Sequence, residues 1–179
     1  MRDLAEKWSA APDWQNAVIA TPDLAIRAAL GLNQLLVSGD LDAWARASGV
    51  DGTGVGAFGI AQGDRYAARL ARDRLLVVSK SPLAIATGWH ADGFAVTAIS
   101  AGLQMFEAEG TALDAFIARG TTLDPGQASA SAALSFAGIS AIVYRREGKL
   151  RIHVDRGLAA YLWTWMETAA GNIAAGSAK

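Results

Sequence analysis

The sequence predicts an α+β fold made of two similar halves, each a split βαβ unit with its helix on one face of an antiparallel sheet. Three observations carry this. The order strand–helix–strand–strand occurs twice, at a spacing of about 70 residues. Leu41-Asp42-Ala43-Trp44-Ala45-Arg46 in the first copy lines up with Leu113-Asp114-Ala115-Phe116-Ile117-Ala118 in the second. Each of these helices follows a strand ending in glycine and precedes a β-hairpin. The arrangement is ferredoxin-like and duplicated, with halves at about residues 16–92 and 93–170. An N-terminal arm (1–15) precedes them and a disordered tail (171–179) follows.

The arm holds Trp8 and Trp14 beside Pro12; two large apolar groups there either pack back on the domain or dock on a partner. Residues 16–20 and 24–30 read as short strands around Thr21-Pro22-Asp23, the second open to a helical turn because alanine does not decide it, and Asn33–Ser38 as a stronger strand. Asp40 is a good N-cap for a helix from Leu41 to Ser48, with Gly49 as its stop. Next comes Gly54-Val55-Gly56-Ala57-Phe58-Gly59, a formal G-x-G-x-x-G. It follows a helix and leads into a turn, whereas a dinucleotide fingerprint needs a strand before it and a helix after, so it reads as a flexible loop. Residues 65–71 and 74–79 pair as a hairpin across Arg72-Asp73. A short helix or turn between Pro82 and Ala91 ends in Trp89-His90, with His90 a surface histidine beside Asp92. Phe94–Ser100 is a strand.

The second half is better written. Leu103–Ala108 is a strand, and Thr111-Ala112-Leu113-Asp114 opens a helix as a capping box with Asp for the usual Glu. Gly120 is its left-handed stop. Residues 128–136, 139–145 and 150–154 are strands. In the last, Leu150, Ile152 and Val154 face one way, leaving Arg151 and His153 on the polar face, with His153 solvated. A final helix at about 157–170 stripes Leu158, Tyr161, Leu162, Trp165 and Met166 on one side. Trp163 falls off that stripe and is either covered by another loop or marks a contact surface; Trp8, Trp14 and Trp163 are the candidate interface residues.

Composition narrows the function. Of 179 residues 52% are hydrophobic, six are tryptophan and none is cysteine, while the net charge is -1. Disulfides, thiolate nucleophiles and thiolate metal sites are therefore excluded. No basic run exceeds Arg145-Arg146, which leaves nucleic acid without an electrostatic footprint. No apolar run reaches the roughly 18–20 residues of a membrane span, and the charged N-terminus lacks a signal core. A cytoplasmic chain with a large buried or subunit-facing surface is expected. No nucleophile–base pair, metal cluster or phosphate cradle stands in a credible context, so no catalytic, cofactor-binding or metal residue is assigned.

Gly110–Asp124 resembles the Gly-x-x-Ala-x-x-x-Leu-x-x-Gly-x-x-Leu-Asp passage of the gamma subunits of heterotetrameric sarcosine oxidases. Ile152-His153-Val154-Asp155-Arg156-Gly157 and Leu162-Trp163-Thr164-Trp165 are similar to the family's closing strand and Leu-Trp-x-Trp helix, and Arg74–Val78 to its Trp-Leu-Leu strand. The resemblance covers about residues 65–170. Three departures place the chain on a divergent branch. Only Ser100 remains of the family's Asp-x-Ser, Thr121 replaces its cysteine, and Pro125-Gly126 shortens its Phe-x-x-Gly loop. That branch includes gamma subunits of N-methylglutamate dehydrogenase. More distantly the chain looks like the folate-binding domain of the aminomethyltransferase. The resemblance implies a non-catalytic gamma subunit of a complex that oxidatively demethylates a secondary N-methyl amine. Its alpha, beta and delta partners would carry the FAD/FMN, NAD, zinc and tetrahydrofolate. A stand-alone folate-binding protein is the alternative.

Overall fold

The computed structural model describes residues 11–127 and 129–177. Two antiparallel sheets lie face to face, each with its helices on the outer side. The first sheet uses β3 (Asn33–Gly39), β4 (Arg65–Ala71), β5 (Arg74–Ser79), β6 (Gly88–His90) and β7 (Phe94–Ala98), in the order β4-β5-β3-β7-β6. Its helix is α1 (Leu41–Ser48), and β5 sits antiparallel between β3 and β4, which is the split βαβ pattern. The second sheet joins β1 (Val18–Ala20), β2 (Ala25–Ala29), β8 (Leu103–Glu109), β9 (Ala133–Phe136), β10 (Ile139–Arg146) and β11 (Lys149–Asp155), in the order β1-β2-β8-β11-β10-β9. It carries α2 (Leu113–Gly120) and α3 (Ala159–Ser177). The α+β class with antiparallel sheets is what the chain forms.

Three apolar layers result. Phe106, Phe116, Ile152, Leu162 and Met166 fill the space between the second sheet and α2/α3. Trp44, Val77 and Phe94 fill that between the first sheet and α1. Tyr66, Leu76, Val78 and Tyr144 lie between the sheets. Hence β5 and β11 are covered on both faces, and both read as nearly unbroken buried strands.

The halves interlock rather than divide at residue 92. β1 and β2 complete the second sheet through Ile26 opposite Ala108, while β7 completes the first through Thr97 opposite Leu36. The copies match in this core, since β11 lies between β8 and β10 as β5 lies between β3 and β4; they differ at the edge, where β9 adds beyond β10 and nothing adds beyond β4.

Local signals held where the chemistry was local. Asp40 Oδ1 accepts the Ala43 amide at 2.8 Å, and Gly49 closes α1 at φ 70°. At α2 they did not. Ala112 is the N-cap without a side-chain bond, and Thr111 instead donates to Asp23 Oδ1 at 3.0 Å, tying the helix entry to the β1–β2 turn. Gly120 is a helical residue rather than a left-handed stop; a Cβ there would stand 2.3 Å from the Phe136 ring. Residues 88–90 form the edge strand β6 where a helix or turn was expected. Residues 171–177 continue α3, and Ile173 is buried, so the expected disordered tail is helical that far. The glycine-rich loop is pinned rather than flexible. Val55 bridges to Ala68 and Ile60 to Arg145, threading the loop from one sheet to the other. A Cβ on Gly56 would meet the Ser129 carbonyl at 1.6 Å.

Candidate functional site

Between the sheets runs a chain of buried polar groups. β11 points Arg151 and His153 at the first sheet, β10 points Tyr144 the same way, and β4 and β3 answer with Tyr66 and Gln34. Glu107 on β8 accepts from Arg151 Nη2 at 2.6 Å, and Arg151 Nη1 donates to the Tyr66 hydroxyl. The two tyrosine hydroxyls are 3.0 Å apart, Tyr144 reaches His153 Nε2 at 2.8 Å, and His153 Nδ1 reaches Gln34 Oε1 at 2.7 Å. His153 is 0% exposed, and Gln34 and Arg151 are nearly as deep. The expectation of a solvated His153 is therefore wrong: the polar face of β11 is covered by the other sheet.

One donor direction satisfies every link. Arg151 can only donate, so the Tyr66 oxygen accepts and its proton goes to Tyr144. Tyr144 then donates to His153 Nε2, leaving Nδ1–H for Gln34 Oε1. His153 is thereby fixed as the neutral Nδ1–H tautomer. Burial, with the Arg151 charge nearby, lowers its pKa from 6.5 to about 3. Burial and the neighbouring Tyr66 push Tyr144 well above its usual range. Burial alone would pull Arg151 down, but Tyr66, Tyr144 and Glu107 outweigh it and hold Arg151 raised. Each of these links commits its proton to one acceptor, while the buried Arg151 Nε–H has no partner among the described residues, and the links together fix the angle and register of the two sheets. At its outer end Glu107 and Glu109 are shared among Arg27, Lys149 and Arg151 at 2.6–3.9 Å.

The sequence-derived interface residues fare differently. Trp8 lies outside the described residues. Trp14 is half-buried against the core, edge-on to Phe106 at 5.5 Å and to Trp163 at 5.7 Å. Trp163 is 4% exposed, and its Nε1 donates to Glu167 at 2.8 Å. It is a core residue because β1 and the Trp14 segment widen the buried arc of α3 beyond the stripe seen in sequence. What it still offers outside is part of the lining of a groove with Pro12, Val18 and Thr164. Trp165, expected in the core, is only partly buried, against Phe116 and Phe136. His90 and Asp92 do not form an acid/base pair. The His90 ring stacks on Phe94 at 4.4 Å and bonds the Ala86 carbonyl at 2.8 Å.

Among the described residues the exposed tryptophan is Trp89, 73% accessible on the edge strand β6. The sequence placed it at the end of a short helix or turn. Its signal was a lone Trp bounded by Gly88 and Gly93, where an edge strand leaves one face uncovered. Among the described residues no three His, Asp or Glu side chains converge to hold a metal, and no helix is long and apolar enough to cross a membrane.

No protein-family model matches the chain, and no curated protein matches it. Among solved structures it is similar to a chain of the heterotetrameric sarcosine oxidase from Corynebacterium sp. U-96, determined in complex with pyrrole 2-carboxylate, with a TM-score of 0.69 and 18% identity. The match spans 90% of this chain and 91% of that one, so the two share a fold from end to end.

Proposed function

We propose that this chain is a non-catalytic, structural subunit of a flavin-dependent, sarcosine oxidase-like complex, in the position of the gamma subunit, and that the complex oxidatively demethylates a secondary N-methyl amine. The observation that carries the reading is the extent of the likeness, 90% of one chain on 91% of the other. The match takes in 91% of one polypeptide of that heterotetramer, whereas a match to one domain of a larger subunit would leave most of its counterpart uncovered. The interior supports it. The polar groups between the sheets are bonded chiefly to one another, which is how a scaffold uses them. On this reading alpha, beta and delta partners bring the flavin, NAD, zinc and tetrahydrofolate chemistry, in the cytoplasm. An N-methylglutamate dehydrogenase is the variant in which only the amine differs.

Co-expression with the polypeptides encoded beside it tests this. The expected result is a stoichiometric complex on size exclusion that contains bound flavin and oxidises sarcosine or a related N-methyl amine. A monodisperse chain that ignores those polypeptides and binds tetrahydrofolate itself would overturn the reading.

A further inference from the structure

The second sheet ends in β9, and that edge is built to take another strand. The Val143 amide donates to the Ala132 carbonyl at 2.8 Å, which sets the alternation of the β9–β10 ladder. Leu134 and Phe136 exchange hydrogen bonds with β10, while Ala133 and Ser135 turn theirs outward. Ser131 Oγ accepts the Ala133 amide at 3.1 Å. Ser135 keeps both an outward donor and an outward acceptor, and it is exposed. The strand carries no lysine, proline or bulge; its protection is its length of four residues and the Ser131 hydroxyl, which also lies 3.5 Å from the Ala133 carbonyl, so the opening is confined to Ser135.

A groove of about 520 Å³ runs along this edge, between Thr121–Leu123 and Ala133–Ser135. Its wall is fixed, because the missing Cβ of Gly120 lets the last turn of α2 press onto Phe136. Arg119 stands where the groove meets a second one of about 260 Å³ along Trp165 and Thr168. The exposed Arg119 guanidinium has no ion pair or hydrogen bond among the described residues, as is also true of Arg46, Arg65, Arg72 and Arg74, and of these five it is the one that lines the groove.

We propose that this groove receives an extended acidic segment of a partner protein. The segment adds as a seventh strand beside β9, anchored on the Ser135 backbone, with a carboxylate on Arg119. The free main-chain pair selects an extended backbone, and the unpaired guanidinium selects the acid. A second copy of this chain fits poorly, since β9 carries no acid and two-fold pairing would bring one Arg119 towards the other. The proposal rests on the subunit reading and says where one partner enters.

The test uses the intact co-expressed complex. The chain has no cysteine, so Ser135→Cys carries a photo-cross-linker at a single site. The expected product joins Ser135→Cys to one partner segment rich in Asp or Glu. Arg119→Glu should weaken assembly about tenfold, the scale of one charged hydrogen bond. Arg65→Glu, an equal charge change at the exposed first residue of β4, should not. Arginine in place of the partner's acid should restore Arg119→Glu. Cross-linking to a helix, to a second copy or to nothing, in a complex that does form, overturns the groove and leaves the subunit reading standing. So does an Arg119→Glu chain that assembles like wild type. Failure of the wild-type chain to form any complex overturns both.

Discussion

The neutral, buried His153 makes the fold acid-sensitive by a calculable amount. In the unfolded chain the imidazole binds a proton near pH 6.5; in the native protein it resists until about pH 3. Between those values the unfolded state holds more protons, so stability falls as pH falls, by about 1.4 kcal/mol per unit. Above pH 6.5 the effect vanishes, and below pH 3 it saturates. From pH 6.5 to pH 5 the loss is therefore about 2 kcal/mol, a substantial part of a typical domain's stability. The charged groups facing His153 cannot rescue it: Arg151 repels the imidazolium, Glu107 is already engaged by Arg151, and the Tyr144 hydroxyl and Gln34 amide are neutral. Urea unfolding at a series of pH values from 7.5 to 5 measures the slope for wild type and for His153→Gln. The variant is expected to be less stable at pH 7.5 and to lose at least half of the wild-type pH dependence. Parallel slopes for the two proteins would refute the reasoning, as would a His153 ring resonance that titrates near pH 6.5 in the folded state.

Four further outcomes follow. Trp163→Ala should cost about 3–5 kcal/mol of folding stability, the reverse of its sequence-derived role, as read by denaturant midpoint. Trp89→Ala should leave the melting temperature within about 1 °C while weakening assembly of the complex, measured by native mass spectrometry. Gly120→Ala should destabilise by about 1–3 kcal/mol although helix propensity alone favours alanine, because its Cβ enters the Phe136 ring; a thermal melt gives the sign. Tyr144→Phe should cost about 1–3 kcal/mol in denaturant unfolding by stranding His153 Nε2 and the Tyr66 hydroxyl.

What could be read in the sequence was local. The Asp40 cap, the Gly49 stop and the 72–73 hairpin depend on a few neighbouring residues, and each forms as its chemistry dictates. The class and the antiparallel sheets followed from such pieces. His153 and Trp163 were misplaced for one shared reason: a second layer covers the face that periodicity assigned to water. The partners of His153 are residues 9 and 119 positions away, and Trp163 is covered in part by Trp14. A pattern of Tyr144, Arg146, Arg151 and His153 on adjacent strands of a hairpin could have signalled a polar seam, since their alternation with Val143, Ile152 and Val154 is strict. Gly120 was misread because glycine serves close packing as well as left-handed turns, and only the position of Phe136 separates the two.

The interlocking of the sheets also sets a timetable for synthesis. The first sheet is drawn wholly from residues 33–98, so it can close as soon as that contiguous stretch has left the ribosome. The β1–β2 hairpin emerges earlier but has no neighbour until β8 appears, 82 residues after Ile26 in the Ile26–Ala108 pair. At ordinary elongation rates that is a wait of roughly 4–16 s with an unpaired, apolar hairpin in solution. The nascent chain thus carries an aggregation hazard in this hairpin, and chaperone capture before β8 is made would act on β1 and β2 rather than on the part that folds first.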